Sequence, residues 1–274
     1  MAVTLSSGVR QNLLSLQSTT DMLATTQNRL ATGKKVNSAL DNPNSFFTAS
    51  SLESRASDLS GLLDDMGQSI ETLKAADTGI QAITKLVESA KAKANQALQS
   101  SVAADRTTYL NEFNTLLTQI EQIATDSGYK GKNLLKGDSL TVTFNEGGSS
   151  TLAITGVNYT DTTSAPLSIA DATGWTADAA GDTAINTSLT ALGTALTSLR
   201  TQASTFGTNL TIVENRQNFT KAMINTLQTG ADKLTLADSN EEGAKLLALN
   251  TRQQLSSTAL SFASQADQNV LRLF

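Results

Sequence analysis

Two neighbouring carboxylates, Asp64 and Asp65, are the first candidates in this sequence for general acid–base chemistry, which needs two carboxyl groups close together. Apolar residues recur around them at helical spacing, so a solvated helix face is the better interpretation. The 274-residue chain has no histidine and no cysteine, which excludes Ser-His-Asp and Cys-His catalysis and zinc held by thiolate or imidazole. We therefore predict no catalytic residues, no cofactor and no cofactor-binding residues, and a protein that is not an enzyme.

A second acidic group, late in the chain, has the oxygen ligands that a metal ion could bind. Glu241 and Glu242 follow Asp238, with Ser239 and Asn240 between them. Such polar side chains cap helix N-termini, and acidic residues in a first turn are favoured by the helix dipole. We interpret the group as the start of a helix and predict no metal site.

The composition limits both the partners and the kind of core. The net charge is −5 and no Lys/Arg-rich patch occurs, which argues against nucleic acid as a partner. No run of about 18 apolar residues occurs, so we predict no membrane span and no membrane partner. Aromatic residues make up only 4% of the chain and there are two prolines. Small and aliphatic side chains of this kind suit long, thin helix packing.

A stripe of apolar residues in the second half of the chain predicts one very long helix. The apolar positions step alternately by four and three residues from Ile185 to Leu234, which is the spacing of a coiled-coil seam. A continuous helix over this span would be about 75 Å long, and it needs an equally long partner. The predicted bundle seam on this helix includes Leu192, Leu199, Phe206 and Leu210, and its polar interruptions are Gln217 and Thr220.

The partner stripe lies upstream, between Leu59 and Leu98, and keeps the same step. Three of its positions are polar or charged, namely Asp77, Thr84 and Lys91. We expect the two long stripes to bury one another along their length. The predicted bundle seam on this helix includes Leu63, Ile70, Leu73 and Ile80.

A shorter helix is predicted from the apolar series between Leu110 and Ala124, with Asp105 as its N-cap. The three helices together predict an antiparallel bundle.

Both chain ends carry weaker stripes with polar interruptions. Such seams are marginal alone, and we expect them to gain order mainly when several copies of the chain pack together. The predicted self-assembly seam is Val9, Leu13, Leu16, Leu23 and Leu30 at one end, interrupted by Thr20 and Gln27, and Leu246, Leu249, Leu260, Ala263, Val270 and Phe274 at the other.

The middle of the chain has a different pattern. Between residues 137 and 184 the heptads vanish, and alternation around Leu140, with a possible return over 151–159, predicts a small β-containing insertion exposed on one side of the bundle. Trp175 is interpreted as a core residue of this insertion. Gly33 and Pro43 mark the boundary between the first helix and the bundle.

The fold class that follows is mainly α: a long antiparallel coiled-coil or helical bundle formed by both chain ends, with a small β-containing insertion in the middle. The first and last segments pair with each other, and so do the inner helices. The predicted segments are 1–42, 43–136, 137–184, 185–235 and 236–274.

Four local sequences resemble bacterial flagellins. Leu30–Asp41 is similar to the family signature Leu-x-[Ser/Thr]-Gly-x-x-[Ile/Val]-Asn-x-Ala-x-Asp, and Asp65–Ile83 resembles the family's first bundle helix. Phe206–Ala222 resembles its helix with an Asn-Arg pair, and Gln268–Phe274 resembles its Gln-Asn-Val-Leu-x-Leu-Leu ending. The segments occur in the family's order, and the resemblance covers about residues 1–136 and 185–274.

The resemblance implies a structural subunit that polymerises non-covalently into the extracellular flagellar filament used for swimming. Segments 1–42 and 236–274 would form the inner tube, and the bundle would form the outer tube. The partners would be other copies of the chain, the type III export apparatus, an export chaperone, and the cap and hook-junction proteins. The start of the chain, MAVTLSSGVR, lacks the features of a signal peptide, which agrees with export without a cleaved signal.

One departure from the family concerns an innate-receptor motif. Flagellins recognised by the vertebrate Toll-like receptor carry an arginine followed four residues later by a leucine, ahead of an Ala-Val-Gln-Ser-Ala-Asn stretch. Alignment on Glu88 and Ala94–Asn95 places Lys85 and Ser89 at those two positions. Lysine lacks the planar guanidinium and serine lacks the apolar side chain, so we expect weak or no recognition.

Two other functions fit parts of the pattern. A hook–filament junction protein shares similar terminal helices but usually has a larger middle segment. A secreted adhesin or binding module would use the insertion as its binding head. Self-assembly into long filaments distinguishes a flagellin from both.

Overall fold

The apolar stripes of the sequence become long helices in the structure, a computed structural model that describes residues 7–271. The prediction of a mainly α fold is confirmed. None of the described helices is long and apolar enough to span a bilayer. In chain order the elements are α1 (Ser7–Thr32), α2 (Pro43–Gln99), α3 (Ala103–Asp126), β1 (Leu140–Thr143), β2 (Thr151–Ile154), α4 (Ala179–Thr235) and α5 (Ser239–Leu271).

The chain divides into two units. The first, which we call the terminal unit, comprises residues 1–56 and 225–274, and the second, the central unit, comprises residues 57–224. Nearly all fully buried apolar side chains of the described residues belong to the central unit, where they form one contiguous core. The largest of them are Tyr159, Phe113, Phe206 and Met66.

The buried face of α4 follows the predicted seam. Leu192, Leu199 and Phe206 are each no more than 1% exposed and belong to the central core. Leu210 is partly buried and packs against that core. Of the two polar interruptions, Thr220 is buried and Gln217 is half-buried.

The buried face of α2 differs from the predicted series at three alternate positions in the second half of the stripe. Ile70, Leu73 and Ile80 are buried as their spacing implies, and Leu63 is half-buried. The predicted series also includes Asp77, Thr84 and Lys91. In the structure the residue immediately before each of these three is the buried one. A shift of one residue removes all three polar interruptions, because it places small or apolar side chains on the core: Ala76, Ile83 and Ala90, each fully buried.

The prediction that Asp105 caps α3 is wrong. The helix begins at Ala103 with Val102 in the N-cap position, and no side chain caps it. Asp105 lies in the first turn, where its negative charge is favoured by the helix dipole. Its carboxylate also accepts a hydrogen bond from the hydroxyl of Ser100 at 3.4 Å.

A tight turn after α3 is held against α2. The amide of Asn133 donates to the backbone carbonyls of Ala124 and Thr125, at 2.8 and 2.9 Å, and so satisfies the last turn of α3. Leu134 and Leu135 follow and are buried in the core. The turn approaches α2 at Gly79, where a Cβ atom would overlap the side chains of Ser127 and Leu135.

The middle segment contains the predicted hairpin but is not an exposed insertion. β1 and β2 pair antiparallel, with Leu140 opposite Ile154 and Thr143 opposite Thr151. Val142 and Ile154 point into the same core as the helices, and Trp175 packs edge-on against Phe113 of α3 with ring centroids 5.1 Å apart. A two-stranded hairpin is marginal alone, so it packs on the helices to bury its apolar face.

Polar side chains of α3 fasten the irregular part of this segment. The amide of Asn114 exchanges two hydrogen bonds with the backbone of Ala172, and Glu121 accepts from the backbone and hydroxyl of Thr162. Arg106 is 5% exposed and donates to the carbonyls of Ser100 and Thr176. These bonds satisfy the backbone of a segment that has almost no regular structure.

The contact at Gly79 predicts a substitution effect opposite to the usual one. Alanine normally stabilises a helix by about 0.5–1 kcal/mol relative to glycine. We expect Gly79→Ala to lower the free energy of unfolding by about 1–3 kcal/mol, because the added methyl group has no room. Gly207→Ala on α4, where a Cβ would meet nothing within 4 Å, is the matched control and should be neutral or stabilising. Urea titrations followed by circular dichroism measure both, and equal effects would contradict the packing.

Candidate self-assembly surface

The two helices at the chain ends pack against each other in the terminal unit. The contacts between α1 and α5 confirm that the first and last segments pair. Only Val9, Thr19 and Thr26 of α1 are buried. The pairing therefore buries much less apolar surface than the central core does.

The face that α1 buries differs from the predicted self-assembly seam at alternate positions. Val9 is buried, and Leu16 and Leu23 are half-buried, as their spacing implies. Leu13 and Leu30, however, are 39% and 40% exposed. The positions that complete the buried face are Asn12, Thr19 and Thr26, one residue before Leu13, Thr20 and Gln27.

The face of α5 that is turned away from solvent agrees with the predicted spacing. Leu246, Leu249, Leu260 and Ala263 are all half-buried, as are Gln253 and Ser256, which occupy the polar steps of the same series. None of these residues is fully buried within one chain. Val270 lies in α5, but its side chain is outside the described residues, as is all of Phe274.

Large exposed apolar side chains are concentrated in the terminal unit. The helix α5 alone exposes Leu247, Leu255 and Phe262 by 71%, 66% and 66%. In the central unit the exposed examples among the described residues are Val102, Ile212 and Phe219. In the terminal unit they are Leu13, Leu14, Met22, Leu30, Leu40, Phe47, Leu236, Leu247, Leu255 and Phe262.

Backbone hydrogen bonds join the connector after α1 to the connector before α5. Gly33 ends α1 with φ of +69°, a left-handed conformation that glycine adopts without strain. Its carbonyl accepts from the backbone N–H of Ala237 at 2.9 Å, and the N–H of Lys35 donates to Thr235 at 2.8 Å. These bonds hold both connectors in the terminal unit together.

An aspartate stabilises the loop between these hydrogen bonds and the start of α2. The carboxylate of Asp41 accepts hydrogen bonds from the backbone N–H groups of Asn37 and Ser38, each at 2.9 Å. The Asn37 bond first, and the Ser38 bond next, lower the pKa of this exposed carboxyl below its usual value. The negative charge therefore supports a sharp turn just before α2.

The acidic group near residue 240 begins a helix, as predicted. Asp238 accepts from the backbone N–H groups of Asn240 and Glu241 at 2.9 and 3.3 Å, which identifies it as the cap of α5. The sequence did not predict the burial of Glu242, which is only 4% exposed and forms an ion pair with Arg29 of α1. Its spacing in sequence gave no sign of that burial.

Other candidate positions lie on helix surfaces. Asp64 and Asp65 are exposed on α2, and among the described residues no three acidic side chains form a group that could hold a metal ion. Lys85 and Ser89 are both exposed on α2, and the hydroxyl of Ser89 donates to the backbone carbonyl of Lys85 at 2.9 Å. This arrangement presents neither a guanidinium nor an apolar side chain to solvent.

Comparison with known proteins identifies relatives over the whole chain. Residues 7–139 match the family model for the bacterial flagellin N-terminal helical region, and residues 189–274 match the C-terminal helical region. Flagellin FljK of Caulobacter vibrioides is 32% identical over 100% of this chain and 98% of its own length. A flagellin of Brucella melitensis is 31% identical over 96% of this chain and 95% of its own.

One solved structure, that of a Bacillus cereus flagellin, is also similar. It covers 57% of this chain and 88% of its own, with a TM-score of 0.48 and 18% sequence identity. At that level the match adds nothing to the assignment of a family.

The position of the buried face on α1 can be tested with two adjacent threonines. Thr19 is buried and Thr20 is exposed, yet each hydroxyl donates to the carbonyl four residues before it, at 2.8 and 3.0 Å. We expect Thr19→Val to stabilise the α1–α5 pair by about 0.5–1 kcal/mol through the added apolar burial. Thr20→Val should change the pair by less than about 0.5 kcal/mol. Urea titration of the helical signal compares them, and a larger effect at Thr20 would contradict this face.

Proposed function

Because this chain belongs to the bacterial flagellin family, and is therefore a structural subunit of the extracellular flagellar filament, we propose that the terminal unit carries its principal assembly contacts. The observation that chiefly supports this is the uneven distribution of exposed apolar surface. Leu247, Leu255 and Phe262 are largely exposed on one helix, whereas soluble monomers rarely leave extensive apolar patches in water. Contact with further copies would remove these side chains from water.

A long uncharged segment of the same helix also supports the proposal. From Gln253 to Ala266, α5 contains no Asp, Glu, Lys or Arg. Bringing copies of such a segment together incurs no charge desolvation and no like-charge repulsion. Repetition of one contact between different faces of successive subunits leaves the assembly open, and a helical filament grows.

We assign the predicted seam residues of α1 and α5 to two different roles. The half-buried Leu16, Leu23 and Leu249 would hold the two helices of one subunit together. The exposed Leu13 and Leu30 would contact neighbouring copies. On this proposal residues 1–42 and 236–274 form the inner tube of the filament, and residues 43–136 and 185–235 form the surrounding bundle, with 137–184 packed on it.

Export also belongs to the proposal. We infer that the subunit leaves the cell through the flagellar export apparatus, with an export chaperone, and assembles under the cap beyond the hook-junction proteins. The weak burial in the terminal unit supports this route, because a unit with little core of its own can be kept unfolded until copies are present. We propose no enzymatic activity for the chain.

The exposed apolar residues of α5 supply the decisive variant. We expect the double substitution Leu255→Ala and Phe262→Ala to raise the critical concentration for seeded filament growth at least tenfold, because both side chains lose a buried contact in the polymer. The monomer should keep its helical content, because both residues are exposed there. Light scattering and electron microscopy of purified subunits seeded with filament fragments provide the measurement.

A matched control separates assembly from general apolar exposure. Val102 is 51% exposed at the start of α3 in the central unit, and Val102→Ala should polymerise like the parent chain. Filament growth by the α5 double variant at the parental concentration would refute the proposal.

The receptor motif gives a separate proposal with its own test. We propose that Lys85 and Ser89 make this flagellin a weak activator of the vertebrate Toll-like receptor, because the exposed side chains on α2 lack the guanidinium and the leucine. The combined change Lys85→Arg and Ser89→Leu should increase signalling in a receptor reporter assay, whereas Glu88→Gln should not. Strong signalling by the unchanged monomer would contradict it.

A further inference from the structure

A groove between α1 and α5 contains a buried acid that its own chain satisfies only in part. The groove is lined by Met22 and Arg29 of α1 and by Glu242, Lys245 and Leu249 of α5. It lies wholly within the terminal unit. Glu242 is 4% exposed in this groove, whereas the adjacent Glu241 is exposed to solvent.

The side-chain contacts of Glu242 both fall on one of its two carboxylate oxygens. Arg29 donates to Oε1 at 3.4 Å and Lys245 donates to the same atom at 3.5 Å. Both distances are long for charge-assisted hydrogen bonds, which are usually about 2.7–2.9 Å. Among the described residues, Oε2 of Glu242 has no hydrogen-bond partner although it is buried.

One of these two cations, Lys245, also pairs with another acid. Lys245 contacts Glu241 at 2.7 Å, and this hydrogen bond is the main reason that the pKa of Lys245 is raised. Lys245 is therefore shared between two carboxylates, and its shorter contact is to Glu241. A buried carboxylate oxygen without a donor is costly, so a donor from outside the chain would be strongly favoured.

We propose that this groove receives an arginine side chain from a second copy of the chain, whose guanidinium donates to Oε2 of Glu242. The inference deepens the proposed function, because it names the contact that one assembly surface makes. Arginine fits because its planar fork suits a carboxylate and its methylene stem can lie against Met22 and Leu249. Three described arginines of the terminal unit are exposed: Arg10 on α1, Arg55 on α2 and Arg252 on α5. Arg55 already has a partner in its own chain, so we assign the contact to Arg10 or Arg252.

Seeded assembly tests the contact with a matched control on the same helix. Glu242→Gln should raise the critical concentration for filament growth about tenfold, because the guanidinium loses its ionic partner. Glu241→Gln, which changes an exposed acid next to it, should raise the critical concentration less than twofold. One of Arg10→Gln and Arg252→Gln should match Glu242→Gln, and combining that pair should cause no further rise.

A photo-cross-link identifies the occupant directly. Benzoylphenylalanine at Met22, or at Ser18 of the same groove if the Met22 variant fails to assemble, is irradiated in filaments made from equal amounts of normal and 15N-labelled subunits. We expect mixed-isotope cross-links to a peptide that contains Arg10 or Arg252. Cross-links only within one subunit, or to a peptide that contains neither arginine, would overturn the assignment.

The result also separates this inference from the proposed function. A purely structural role inside one subunit predicts that Arg29→Gln and Glu242→Gln lower the helical content of the monomer equally, with no mixed-isotope cross-link. That outcome would refute the groove contact. The effect of Leu255→Ala with Phe262→Ala on filament growth would still decide the proposed function independently.

Discussion

The pairing of α1 with α5 is the interaction on which the rest of the account depends. It joins the two ends of the chain, but among the described residues of these two helices only Val9, Thr19 and Thr26 of α1 and Glu242 of α5 are buried. A fully buried leucine contributes roughly 1.5–3 kcal/mol, and the seam leucines Leu16 and Leu249 are only half-buried. The α1–α5 pair is therefore weak within one subunit. Much of its apolar side-chain surface is left for contacts between subunits.

The central unit has the opposite character and explains why the subunit can still have a defined structure. Its helices share one core with the hairpin, and even Tyr159 is fully buried, which raises the pKa of its hydroxyl to about 12. Polar side chains of α3, such as Asn114 and Glu121, hold the irregular segment to that core. The central unit is stable within one chain, whereas the terminal unit buries little apolar surface until other copies pack against it. This combination suits a subunit that assembles into a polymer.

The sequence predicts the helices well and their faces less well, for a physical reason. On α4 the apolar residues occupy nearly every step, so only one face is possible. On α1 and on α2, a four–three step fits two faces one residue apart, and small residues such as Ala76 and Ala90, or polar ones such as Thr19, complete the buried face. Periodicity alone cannot decide which of two adjacent residues, such as an alanine and a threonine, is buried. Periodicity did not predict the burial of Glu242 or the packing of the middle segment on α3, because the residues that they contact are distant in sequence.

Amide hydrogen exchange, measured on the monomer and on the assembled filament, shows whether α1 and α5 gain their order from neighbouring copies. Exchange reports the local free energy of opening of each helix. We predict that α1 and α5 exchange quickly in the monomer and become strongly protected in the filament, while the core-facing amides of α2 around Leu73 and Ile80 are protected in both. Equal and strong protection of α1 and α5 in the monomer and in the filament would contradict it.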